Sequence, residues 1–331
     1  MKLSILDQAP ISSNQSPREA LQESLKLAQA GENLGYTRYW IAEHHDLPGL
    51  ACSAPEVMLG YIGSNTKKIR IGSGAVLLPH YKPYKVAEVY NMLATLFPNR
   101  IDVGIGRAPG GSAEATNALS DNFLQQVWNM PNSVQDLLYF LDNDIPTEHH
   151  HARVSASPIP LIPPIPWLLG TSKKSAILAA EKGLAYAFGQ FMSDQDGGAI
   201  IKQYKDHFKP RKHNESPQVI VTVTAICAET SEKADEIALS SLVWGLQRKR
   251  GEETHGVPDI QDAKDYLRNE KDGLLDDMKK GMIIGNPQEV KKAFLTLQDQ
   301  YNADEIMIVT ITHSPLDKIQ SYRLIAEEIL K

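Results

Sequence analysis

Short apolar runs separated by longer amphipathic segments recur along the whole chain, and this alternation constrains the fold more than any other feature. Eight runs read as strands: residues 3–7, 38–43, 69–78, 100–106, 165–170, 184–189, 219–227 and 305–312. A segment of helical period follows each one. Start signals mark several of these helices. Ser16 precedes Pro17, and Asn286 precedes Pro287. The last segment sets Ile319, Tyr322, Ile325, Ala326 and Ile329 on one stripe. Strands that alternate with crossover helices pair in parallel. Eight such units predict an α/β fold, a closed (β/α)8 TIM barrel; periodicity leaves an open doubly wound sheet as the alternative. The reading is one domain over residues 1–331, since such barrels reach this length as a single unit.

A formal net charge of −6 argues against a protein that coats nucleic acid or an acidic membrane. Cys52 and Cys227 are far apart and form no CxxC pattern, which predicts a reduced, cytoplasmic setting. No signal peptide is read at the N-terminus, and no apolar run approaches the ~18 residues of a membrane span. Two segments exceed a minimal βα unit. Residues 115–164 end in a Pro- and Ser-rich stretch, read as an irregular connection with room for a short hairpin. Residues 247–281 are dense in charge of both signs. They read as an insertion between strands seven and eight, either a solvated helical segment or a mobile lid.

Function in a barrel collects at the C-terminal strand ends. The second run, "RYWIAEHHD", ends there in Glu43, His44 and His45. Adjacent strand residues face opposite ways, so the two imidazoles do not serve one atom. An imidazole suits proton transfer near neutral pH. Arg107, in "GIGRAPGG" after the fourth run, suits a phosphate or a plain salt-bridged turn. Thr171, Ser172 and Ser175 follow the fifth run where a helix begins, which suits either an anion or an ordinary cap. The small residues Gly72, Ser73, Gly74 and Ala75 inside the third run admit a flat ligand or tight packing. No metal ligand is assigned: HExxH and a spaced Cys/His quartet are both missing. The run "EHHH" at 148–151 reads as a polar loop that could hold a stray cation.

Five motifs in order resemble the bacterial luciferase-like family of flavin-dependent oxidoreductases. They are "WIAEHH" at 40–45, "NTKKIRIGSGAVLLPHYKP" at 65–83, "PNRIDVGIGRAPG" at 98–110, "LLGTSKKSAILAAEKGLAYAFGQF" at 168–191 and "IIGNPQEVKKAF" at 283–294. The resemblance implies a single barrel with FMN at the C-terminal mouth and His44 as the catalytic residue. It implies phosphate binding by Arg107, Ser172 and Ser175, with Thr171 adjoining. A non-proline cis peptide at Gly74–Ala75 would lie behind the flavin ring, and residues 247–281 would match a mobile lid. It further implies a monooxygenase that takes reduced FMN from a separate NAD(P)H:flavin reductase, uses O2 on a small organic substrate, and forms a homodimer. Gly106 stands where luciferase has a reactive cysteine, and Thr171 where it has a glutamate. Both departures weigh against light emission and a long-aldehyde substrate. The rivals are F420-dependent hydride transfer within the same superfamily, a non-catalytic flavin-binding protein and an unrelated sugar-phosphate isomerase barrel.

Overall fold

The computed structural model describes residues 1–212, 214–252, 254–268 and 274–331. Its strands are β1 Lys2–Asp7, β2 Arg38–Ile41, β3 Arg70–Ser73, β4 Val76–Leu77, β5 Ile101–Gly106, β6 Ile165–Gly170, β7 Ala185–Gly189, β8 Val219–Cys227, β9 Met282–Gly285 and β10 Glu305–Val309. All their pairings are parallel, and β10 bonds both β1 and β8, so the sheet closes on itself. Eight staves make the ring: β1, β2, β3, β5, β6, β7, β8 and β10. β4 extends the ring beside β5, and β9 lies outside it along the end of β8. The fold is the (β/α)8 barrel, and the eight predicted runs are its staves.

The boundaries differ where the chain turns toward the mouth. The second run stops at Ile41 rather than residue 43, because the His44 and His45 amides bond the loop carbonyls of Cys52 and Gly110. The last stave stops at Val309 rather than residue 312. β9, which was not predicted, follows directly after the charged insertion, and the helix Ser231–Lys249 runs past the insertion's expected start at 247. Residues 253 and 269–273 of that segment lie outside the described residues. Between β5 and β6 stand the helices Ala113–Leu119, Phe123–Trp128 and Met130–Asp142, and no hairpin follows them among the described residues. Prolines 158, 160, 163 and 164 remove the amides that a hairpin ladder needs.

The capping signals act as read. Ser16 and Glu19 form a reciprocal capping box on the helix Pro17–Leu34, and Asn286 and Glu289 do the same for Pro287–Tyr301. In the final helix, Pro315–Ile329, Tyr322, Ile325 and Ala326 are buried against the staves.

Inside the ring, inward positions alternate with outward ones. At the N-terminal end Arg38 projects into the lumen. Its guanidinium bonds Asp102 at 2.7 Å and Glu305 at 2.8 and 3.0 Å. Asp102 also accepts from Arg70 and from the Trp40 indole, and Glu305 from the Ser4 hydroxyl. Burial works against the charged guanidinium, but the two carboxylates outweigh it and raise its pKa above the ordinary value. Above this layer, Trp40 and Trp167 meet edge to face at 5.6 Å among Leu6, Ala185, Ala187, Ile220 and Met307.

The third run is divided by a cis peptide at Gly74–Ala75. Gly72 pairs with Asp102, yet Val76 pairs with Ile105, so one extra residue bulges out of β3 against β5. Gly104 makes the bulge possible: a Cβ there would lie 2.0 Å from the Ser73 carbonyl oxygen. Gly72 makes room in the same way for Asp102 and the Trp40 indole. Tight packing therefore accounts for Gly72.

Two measurements check this construction. Arg38→Met should destabilise the fold by about 3–5 kcal/mol in urea unfolding, because Glu305 stays buried with its charge uncompensated. Gly104→Ala should cost on the order of 3 kcal/mol in the same assay, since backbone rather than a flexible side chain would have to move.

Candidate active site

Adjacent staves bring four predicted elements to the C-terminal mouth. His44 follows β2, the cis Gly74–Ala75 peptide divides β3 from β4, Arg107 follows β5, and Thr171 and Ser172 follow β6. Registers join them. Gly74 N–H donates to the Ile41 carbonyl of β2 at 2.8 Å, Leu77 pairs with Gly106, and Ile105 pairs with Leu168. A Cβ on Gly106 would stand 2.8 Å from the Ala75 side chain. The candidate residues thus form one arc, although they are far apart in sequence.

His44 lies three residues past the end of β2, in the turn at the mouth. Its Nδ1 is buried and has no hydrogen-bond partner. Burial lowers its pKa to about 4, and the Arg248 guanidinium and His45 add to the effect. The imidazole is therefore neutral at neutral pH. The Glu43 carboxylate bonds His45 Nε2 at 2.8 Å and accepts from the Tyr81 hydroxyl at 2.7 Å and the Leu77 amide at 3.1 Å. That network ties the turn after β2 to the segment after the cis peptide.

Arg107 is exposed at the end of β5. Ser172 caps the helix Lys173–Glu181, with Ser175 completing a capping box. Ser175 Oγ donates to the Ser172 carbonyl at 2.7 Å and lies 3.0 Å from the Tyr186 hydroxyl. It is thus committed to the turn. The Ser172 hydroxyl makes only long contacts, accepting from the Ser175 amide at 3.4 Å and lying 3.3 Å from Ser175 Oγ, so it is held more weakly than Ser175. Gly74 also has a packing role, since a Cβ there would stand 2.4 Å from Leu6 Cδ1.

Several mouth residues were invisible to sequence reasoning. Trp244 and Arg248 lie one turn apart on the helix Ser231–Lys249, with the guanidinium 4.7 Å from the indole centroid. Trp244 packs against Gly49, where a Cβ would stand 3.1 Å from its ring, and its Nε1 is buried without a partner. His313, after β10, has a buried, unpartnered Nε2. A histidine just past a strand end was a usable signal for His313. Arg248 sits in a charged run and gave no such signal. Unpartnered polar atoms of this kind are what a polar ligand in the mouth would satisfy.

The fold and this mouth define a barrel enzyme whose C-terminal strand ends carry a neutral His44, an exposed Arg107 and the Ser172 turn. Residues 1–302 match the family model described as luciferase-like monooxygenase. The chain is 42% identical over 330 residues to the Bacillus subtilis (strain 168) protein named "Uncharacterized protein YceB", covering 99% of each chain. It is 34% identical over 332 residues to the N-acetyl-S-alkylcysteine monooxygenase of the same organism, covering 100% of this chain and 98% of that one. The crystal structure of apo-MsnO8 superposes with a TM-score of 0.90 at 32% identity, covering 99% of this chain and 97% of that one. Two more distant structures share the fold alone. One is the oxygenating constituent of 3,6-diketocamphane monooxygenase from Pseudomonas putida in complex with FMN, at TM-score 0.71 and 18% identity, covering 99% and 98% of the chains. The other is an F420-dependent secondary alcohol dehydrogenase, at 0.70 and 13%, covering 99% of each. The chain belongs to the luciferase-like monooxygenase family, and it is an enzyme of the flavin-dependent oxidoreductase class.

The electrostatics predict a titration. Arg248→Gln should raise the His44 pKa above about 4 in an NMR pH series, because it removes a nearby cation. The sign for stability is fixed by burial. The folded pKa is below the unfolded value of about 6.5, so folding stability falls as pH drops from about 6.5 toward about 4. The Arg248→Gln variant should show a smaller loss over that window in pH-dependent urea unfolding.

Proposed function

We propose that the protein is a two-component, FMN-dependent monooxygenase that takes reduced flavin from a separate NAD(P)H:flavin reductase and uses O2 on a small organic substrate. The observation that carries this reading is the unbroken arc on β2, β3, β5 and β6, from the neutral, unpartnered His44 Nδ1 past the cis Gly74–Ala75 peptide to Arg107 and Ser172. The residues fit the group. Arg107, Thr171, Ser172 and the free amides at the start of the helix Lys173–Glu181 would hold the phosphate, because cation, hydroxyl and helix N-terminus all favour an anion. Ser175 would keep that turn in shape, and Gly74 and Ala75 would back the ring. Bound there, reduced flavin would supply the electrons that activate oxygen.

His44 serves in this reading as a general base, since its imidazole is neutral and the uncommitted Nδ1 can take a proton from a reacting group. Glu43, His45 and Tyr81 position the turn that carries it. The described part of residues 247–281 supports a covering role: Val257 exchanges backbone bonds with Ile11 and Ser13 beside the mouth, at 2.8 and 2.9 Å. Such a cover would keep water from the reaction. Val57 and Tyr61 on the helix Pro55–Ser64, and Met92 and Leu96 on Pro83–Leu96, are exposed apolar residues that support a homodimer. Among the described residues no helix is long and apolar enough to cross a membrane. Supply of reduced flavin by a cytoplasmic reductase belongs to the same proposal.

Anaerobic titration with reduced FMN, oxidised FMN and F420 tests the reading. Arg107→Ala should weaken reduced FMN binding by roughly 10–100-fold, the value of a charge-assisted contact. His44→Ala should leave that binding within about threefold and lower substrate-dependent turnover by roughly 10²–10⁴-fold. No binding of either FMN form would overturn the FMN assignment, and tight F420 binding through Arg107 would replace it with F420-dependent hydride transfer.

A further inference from the structure

Away from the mouth, the helix Met130–Asp142 and the irregular segment 143–164 bring a carboxylate and three imidazoles together. The Asp136 carboxylate lies 3.2 Å from His149 Nε2, and one ligand atom from each of Asp136, His149 and His150 lies within 4.8 Å of the other two. His150 and His151 have ring centroids 3.9 Å apart. Aromatic rings of the same helix support the cluster: Tyr139 meets His149 at 5.6 Å and Phe140 meets His151 at 5.7 Å.

We propose that Asp136, His149 and His150 form a binding site for one borderline divalent cation, Zn2+ foremost, which pins the segment 143–164 to the helix Met130–Asp142. Two ligands on a tetrahedral Zn2+ at about 2.0–2.1 Å stand roughly 3.3 Å apart. The Asp136–His149 separation of 3.2 Å already has that value, and His150, within 4.8 Å of both, has to close by at most about 1.5 Å. Imidazole donors select Zn2+, Co2+, Ni2+ or Cu2+ over Mg2+ and Ca2+, which prefer all-oxygen shells. His151, whose ring centroid lies 3.9 Å from that of His150, is the nearest candidate for the fourth position. The His151 amide donates to His149 Nδ1 at 3.2 Å, which leaves the proton on Nε2, facing Asp136. Metal binding at Nε2 therefore moves that proton to Nδ1 and breaks the weak amide bond. The 149–151 turn closes around the ion as it does so. The site's effect is mechanical: segment 143–164 leads into β6 and so into the Ser172 turn.

The test uses the full chain without a histidine tag, stripped with EDTA. Zn2+ titrated calorimetrically should bind at one equivalent. Saturating Zn2+ should raise Tm by about 2–5 °C, and Co2+ should give the intense visible bands of tetrahedral coordination. Asp136→Asn and His150→Gln should each weaken Zn2+ binding at least tenfold; His150 is exposed, so its variant keeps the fold. No binding would overturn the proposal. Binding that ignores Asp136→Asn would overturn it too, because it would show a histidine run acting alone.

Discussion

The Arg38 guanidinium is the interaction on which the barrel depends. It stands on β2, reaches Asp102 on β5 and Glu305 on β10, and through Glu305 meets Ser4 on β1. Four staves thus converge on one buried cation. A barrel of eight parallel strands must fill its lumen with side chains, and polar ones are tolerated only when every donor and acceptor is used. In this layer every nitrogen of the Arg38 guanidinium and every carboxylate oxygen of Asp102 and Glu305 has a partner, and the Trp40–Trp167 pair and its aliphatic neighbours pack above it as a floor for the mouth.

Large and small inward residues are complementary around the ring. Trp40 occupies space that Gly72 gives up, and the Ser73 carbonyl occupies space that Gly104 gives up. The resulting bulge in β3 brings the cis peptide between the His44 turn and the Arg107 turn, and Glu43 fastens the two sides by accepting from Leu77 and Tyr81. Packing in the middle of the barrel and polar geometry at its mouth are consequences of the same small residues. A membership test by sequence finds the luciferase-like monooxygenase family over residues 1–302. The physical content of that membership lies in this arrangement.

Much of the architecture was legible before any coordinates. All eight staves stand in the predicted runs, because a strand buried on both faces reads as a short continuous apolar run. The caps at Ser16 and Asn286 were legible because capping chemistry is local. Errors fell where tertiary contacts compete with local pattern. The second run kept its strand-like sequence past Ile41, but its amides found loop carbonyls instead. β9 was missed because its four residues, just after the charged segment, acquire strand character only by pairing with β8.

The candidate site divides the same way. By itself the sequence determined the staves and the helix starts, since each follows from period or from chemistry within a few residues. It put forward His44, Arg107 and the hydroxyl turn as candidates, with His44 chosen over His45 only through resemblance to the family. Only the tertiary structure decided that these residues share one arc, that Ser175 serves the cap while Ser172 makes only long contacts, and that Trp244, Arg248 and His313 belong at the mouth. The reason is physical. Burial, the electrostatic influence of Arg248 on His44 and the lack of a partner for a polar atom are properties of what surrounds a residue. In a closed barrel those surroundings come from staves and helices far apart along the chain.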